Sequence, residues 1–162
     1  MMKRILFGFG FLCLLNFSSK AQAVASGDFA NLVDKTNIHV VFDYSKTKFF
    51  HTDKSMEELL ESKPKFSKIK ETQEKYFIGS INDDVKKLLA FGDFRNPDAV
   101  LTICVNYMED DMDNPRLEAK FVDVNNVELL TINNIQQEDL NDAGHLLGKF
   151  IYKELKKLKK TK

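Results

Sequence analysis

A chain of 162 residues, 43% hydrophobic and 30% charged, holds one ordinary domain and is neither disordered nor fibrous. Its 24 basic residues balance 24 acidic ones, which excludes the strongly basic surface of a general nucleic-acid binder. Three Pro and seven Gly leave no linker or low-complexity stretch.

The first 23 residues read as a signal peptide. Lys3 and Arg4 precede an apolar run from Ile5 to Phe17, and Ala21-Gln22-Ala23 is the small-x-small pattern cut by a signal peptidase. A spanning helix needs about 20 apolar residues, so the run is too short to remain as an anchor. Export to the periplasm or beyond is expected, with Val24 as the mature start and Ser26 as the alternative, and with no transmembrane helix in the mature chain. Cys13 sits among bulky residues rather than small ones, so it is not read as a lipid-attachment site. The leader carries Lys3, Arg4 and Lys20, so the mature chain has 24 − 3 = 21 basic against 24 acidic residues, a net of −3. Cys104 is then the single cysteine, and the core must hold the fold without an internal disulfide.

After a partly ordered lead-in over residues 24–36, a single domain is expected over residues 37–162. Asn37 to Tyr44 alternates, with Ile38, Val40, Phe42 and Tyr44 on one face and His39, Val41 and Asp43 on the other, and predicts a strand. Phe49 and Phe50 interrupt a polar connection and are expected to fold under as a lid on the core. Ser55-Met56-Glu57-Glu58 is a capping-box pattern that opens a short helix ending before Pro64. Phe66, Ile69, Tyr76, Phe77, Ile81, Val85, Leu88 and Leu89 recur at helical spacing and predict an amphipathic helix over 65–90, closed by Gly92. Ala99 to Tyr107 is the strongest strand signal, with Leu101, Ile103, Val105 and Tyr107 on an apolar face and Val100, Thr102, Cys104 and Asn106 on a mixed one. An acidic loop follows. Leu117 to Val124 and Val127 to Ile132 then pair about a tight turn at Asn125-Asn126. The last helix is expected over 138–157. The order predicts an α+β two-layer sandwich: a four-stranded mixed sheet with helices on one face, its first and central strands parallel.

Four groups of residues carry candidate chemistry. Glu109, Asp110, Asp111 and Asp113 gather carboxylates of the kind that hold Ca²⁺, but Asn114-Pro115 stands where a calcium loop needs its Gly, so a solvated loop is the simpler reading. Cys104 with His39 and Asp43 has the composition of a thiol nucleophile with base and orienter, although nothing adjacent lowers the thiol's pKa. His39, His51 and His145 lack zinc-ligand spacing, and neither a metal nor any other cofactor is expected. Gly144-His145-Leu146-Leu147-Gly148 lies in a helix too charged to span a membrane, where its small residues are expected to let the helix lie close on the sheet. The tail beyond carries Lys153, Lys156, Lys157, Lys159, Lys160 and Lys162 against Glu154. These lysines complement a helix C-terminus or make peripheral contact with an anionic membrane.

Two stretches carry a resemblance. Val40 to Phe49, where a hydrophobic strand runs into Asp43-Tyr44-Ser45, and the helix Ala143 to Ile151 resemble the first strand and last helix of small exported bacterial α+β envelope proteins of unknown function. That resemblance implies a sheet-and-helix envelope module without an assigned active site, and the chain lacks the lipid-attachment cysteine that many of them carry. The expected function is a non-catalytic binding or assembly module for an envelope protein or ligand. Its working surface is expected to be the mixed sheet face (His39, Asp43, Thr102, Cys104, Asn106) or the basic tail. The alternatives are a small hydrolase or thiol enzyme using Cys104 and His39, and a cation-binding protein using loop 109–113.

Overall fold

The computed structural model describes residues 23–109 and 112–160. All of the expected leader but Ala23, the acidic-loop residues Asp110 and Asp111, and Lys162 of the tail lie outside the described residues. The chain forms a mixed α+β fold: β1 (Val24–Gly27), a 3₁₀ turn (Phe29–Leu32), β2 (Asn37–Asp43), β3 (Lys48–Phe49), α1 (Met56–Ser62), α2 (Pro64–Val85), β4 (Ala90–Gly92), β5 (Ala99–Met108), β6 (Arg116–Asp123), β7 (Glu128–Gln136) and α3 (Leu140–Lys160).

The sheet has seven strands, not four, in the order β1-β7-β6-β5-β2-β4, with β3 also pairing with β5. The three additional strands span two to four residues each, too short for alternation to show in the sequence. The stretch read as a lead-in supplies β1, antiparallel to β7, and the 3₁₀ turn, whose Leu32 is fully buried. β2 runs parallel to β5 as expected, and β5, β6 and β7 form the expected antiparallel meander.

Along β5, Leu101, Ile103 and Val105 are buried and Val100, Thr102 and Cys104 half-buried, as the alternation requires. The pattern breaks after Val105, where an irregularity in the ladder with β6 lets Met108, rather than Tyr107, take the last buried position. The Phe49–Phe50 pair splits: Phe49 enters the core and Phe50 stays 47% exposed. The turn expected at Asn125-Asn126 is a longer loop, closed by Asp123 N–H to Val127 O at 2.9 Å. The Asp123 carboxylate accepts from Asn125 and Val127 N–H, and Asn126 takes a left-handed φ of 63°.

The capping box at α1 is formed as read, with Glu58 N–H donating to Ser55 Oγ and Ser55 N–H to Glu58 Oε2. α2 stops at Val85 rather than running to 90, because Lys86 and Lys87 both adopt left-handed φ and turn the chain into β4. Leu88 and Leu89 fit a helical stripe, yet the residues after them pair beside β2, Ala90 opposite Asn37. The Asn82 amide ties this edge down. Its Nδ2 donates to Ile78 O and Phe91 O, and its Oδ1 accepts from Phe91 N–H at 2.8 Å.

α3 starts at Leu140, with Asp139 Oδ1 accepting from Asp142 N–H at 2.7 Å. It packs against α2, not chiefly on the sheet, and this corrects the role expected of its small residues. A Cβ at Gly144 would lie 2.5 Å from Phe77 O, and one at Gly148 3.0 Å from Ile81 O. Residues 144 and 148 thus meet 77 and 81 in the same chain direction, and the two helices run parallel. Ser80 Oγ donates to Asn141 Oδ1, and His145 Nδ1 lies 2.6 Å from Asp84 Oδ2 across the same seam.

At the start of β2, Asp98 Oδ2 accepts from Thr36 N–H, Thr36 Oγ1 and Asn37 N–H at 2.7–3.0 Å. The Asn37 and Thr36 hydrogen bonds hold its carboxyl down to about 2, below the ordinary aspartate value of 3.8. A depressed carboxyl adds stability above its ordinary value and loses it as the pH falls through the depressed one. The melting temperature of Asp98→Asn should therefore lie below that of the native chain at neutral pH. The gap should close between about pH 4 and pH 2, and a gap that persists to pH 2 would show that Asp98 is not the group responsible.

Candidate functional site on the open sheet face

The side of the sheet away from the core is built from alternate residues of the strands, and the register places them in rows. His39 lies beside Val100, Val41 beside Thr102 and Asp43 beside Cys104, and across β5 these rows continue to Val122, Lys120 and Glu118. Beyond the irregularity, Lys48, Tyr107, Arg116 and Gln136 form a further row. Four of the five residues expected on the mixed face thus share one surface in β2 and β5. Asn106 is exposed but sits at the irregularity, outside the paired register.

The thiol constellation does not assemble. Asp43 neighbours Cys104, but His39 is four residues back along β2, about 13 Å away at strand rise. Its ring turns to the loop after β4, where Phe94 N–H donates to Nδ1 at 3.3 Å and Asp93 Oδ1 lies 3.4 Å from the same nitrogen. Asp43 serves its own turn: hydrogen bonds from the Ser45 hydroxyl and from Ser45 N–H, the latter at 2.9 Å, hold its carboxyl below the ordinary range. Burial pushes the Cys104 thiol above the ordinary cysteine range, with the Asp43 and Glu118 charges adding to the rise and Lys120 opposing it. A nucleophilic cysteine needs the opposite shift. Alkylation of Cys104 by iodoacetamide at pH 8 should accordingly be several-fold slower than that of glutathione, and a faster reaction would reveal an activation that this geometry does not supply.

An ion pair lies within the face. Lys120 Nζ lies 2.7 Å from Glu118 Oε1, and that hydrogen bond raises the lysine's pKa. Among the described residues no group of three or more His, Cys, Asp or Glu side chains is placed to hold a metal ion. Of the acidic loop, Glu109 N–H donates to Asp113 O at 2.9 Å, and Met112, at a left-handed φ of 69°, is buried.

The face ends in a cavity of about 330 Å³ lined by Tyr107, Glu109, Asn114, Arg116, Gln136 and Gln137. The Arg116 guanidinium lies 4.8 Å from the centroid of the Tyr107 ring, and Phe50 meets the same ring edge-on at 6.5 Å. Sequence reasoning missed this group, because periodicity assigned Tyr107 to the core face. The aromatic interruption at Phe49-Phe50 was the one signal pointing to it. A larger hollow of about 580 Å³ runs along α2 past Lys65, Lys68, Ile69, Thr72 and Gln73.

Of the tail lysines, Lys153, Lys156, Lys159 and Lys160 are exposed on the last turns of α3, and Lys157 Nζ lies 2.6 Å from Glu154 Oε1. No described helix is long and apolar enough to cross a membrane. No protein-family model matches the chain, and no curated protein is similar to it at a significant level. Among solved structures the chain is similar to a PelC dodecamer from Paraburkholderia phytofirmans, at 11% identity and a TM-score of 0.38, over 83% of this chain and 95% of that one.

Proposed function

We propose that the protein is an exported, non-catalytic binding or assembly module of the bacterial cell envelope, and that it works through the open face of its sheet. The observation that supports this most is the asymmetry of β5 and β6: one face lies in the core, while Thr102, Cys104, Glu118 and Lys120 stand half-covered on the other. A surface of charged and hydroxyl side chains, ending in a polar cavity, offers hydrogen bonds and shape to a partner but no activated nucleophile. The leader pattern supports export.

Two measurements test the reading. The intact mass of the processed protein should correspond to a chain starting at Val24, recovered from outside the cytoplasm. Photo-crosslinking residues placed at Lys120 and Asn106 should give discrete adducts in envelope fractions, and one placed at exposed Lys65 on α2 should not. A full-length chain in the cytoplasm would refute export. Identical adducts from all three positions, or none from any, would refute the sheet face as the working surface.

A further inference from the structure

The geometry points to a lysine ridge on α3 that docks the protein on an anionic phospholipid surface. Lys149, Lys153, Lys156 and Lys160 are all exposed and follow one another at spacings of four, three and four residues. At 3.6 residues per turn they fall within about 60° of arc and extend for about 16 Å along the helix. The opposite side of the helix is the one that packs, through Leu147, Gly148, Ile151 and Leu155. The ridge itself holds no acid. Glu154 projects away from it and pairs with Lys157.

A second helix end widens the ridge. Because α2 and α3 run parallel, both C-termini lie at the same end of the molecule. There the ammonium groups of Lys86, just after α2, and of Lys156 lie 5.1 and 5.3 Å from the centroid of the Tyr152 ring. Exposed Lys87 follows in the same left-handed turn. Compensation of the helix macrodipole accounts for Lys157, Lys159 and Lys160 in the last turn. It does not account for Lys149 and Lys153, because the dipole effect falls off within one turn of the end. Lys149 precedes the basic tail, and its place in the ridge is a matter of helical phase.

The ridge is concentrated on a chain whose mature net charge is negative, so it is a local feature and not a general basic character. A straight row of mobile ammonium groups beside a tyrosine suits phospholipid phosphates at a membrane interface, where tyrosine rings are favoured. The choice of lipid over nucleic acid rests on the export reading. The vesicle measurement does not, so the two can fail separately.

Each lysine held near an anionic bilayer strengthens binding roughly fivefold, so four act together over a range of several hundred-fold. The purified protein should sediment with vesicles containing about one-third phosphatidylglycerol, not with phosphatidylcholine alone, and should be released by salt. Replacing all four ridge lysines by glutamine should weaken this binding at least about 100-fold. The same change at exposed Lys65, Lys68 and Lys75 on α2 should leave it within about threefold. All of these side chains are on the surface, and matching thermal melts will show that the variants fold. Equal binding to both vesicle types, no binding to either, or an unaffected ridge variant overturns the proposal. Capture by heparin or DNA without binding to phosphatidylglycerol vesicles overturns the assignment to lipid.

Discussion

Gly144→Ala is expected to destabilise the fold by about 2–3 kcal/mol, as overpacking of a close-packed seam does. The added methyl would stand 2.5 Å from Phe77 O and 3.1 Å from Phe77 Cα, and both are backbone atoms that cannot swing aside. Alanine favours a helix over glycine by about 1 kcal/mol, so a net loss of this size means that the steric cost dominates. Gly79 provides the control. A Cβ there meets nothing within 4 Å, and Gly79→Ala should stabilise the protein by about 0.5–1 kcal/mol through α2's own propensity. Urea unfolding of the two variants should move the midpoint in opposite directions. If Gly144→Ala is as stable as the native chain, α3 does not approach α2 as closely as described.

Asn82→Ala should cost a similar amount, about 2–3 kcal/mol, for a different reason. The amide supplies Phe91 with both a donor and an acceptor, as a neighbouring strand would, and does so at an edge where β4 has only β2 beside it. Truncation leaves the Phe91 N–H and C=O without these partners in a half-buried place, together with the bond to Ile78 O. Asn82→Asp should be no better: a carboxylate can accept from Phe91 N–H, but it repels the carbonyl oxygens that the amide had bonded. Hydrogen exchange at Phe91 gives the site-specific reading. Faster exchange there, with the β5–β6 ladder still protected, is the expected pattern. Unchanged protection at Phe91 would mean that β4 is held by its pairing with β2 alone.

The two positions mark where reading by pattern reached its limits. Gly144 and Gly148 were visible as small residues at helical spacing, but their partner was placed on the sheet rather than on α2. A four-residue spacing states which face of a helix is small and nothing about which element faces it. Asn82 lies within the helix expected over 65–90, where nothing in the spacing singles it out. Its importance comes from Phe91, nine residues away, just past that expected helix and in a strand of three residues, too short for alternation to show. In the candidate site, membership of the mixed face was legible because strand alternation assigns faces without reference to other strands. Distances along that face depend on register, and register separated His39 from Cys104.

What the sequence determined by itself is therefore local. Ala99 to Val105 alternates because each residue must choose one of two faces. Ser55 and Glu58 cap α1 because both partners lie within one turn. The stripe of α3 is apolar where it packs. The strands of two to four residues, the switch of Tyr107 to the open face, the end of α2 at Val85 and the parallel seam of α2 against α3 were decided by the tertiary structure. In none of these does the local pattern decide the outcome. The choice falls to backbone groups and neighbours that meet only when the chain has folded.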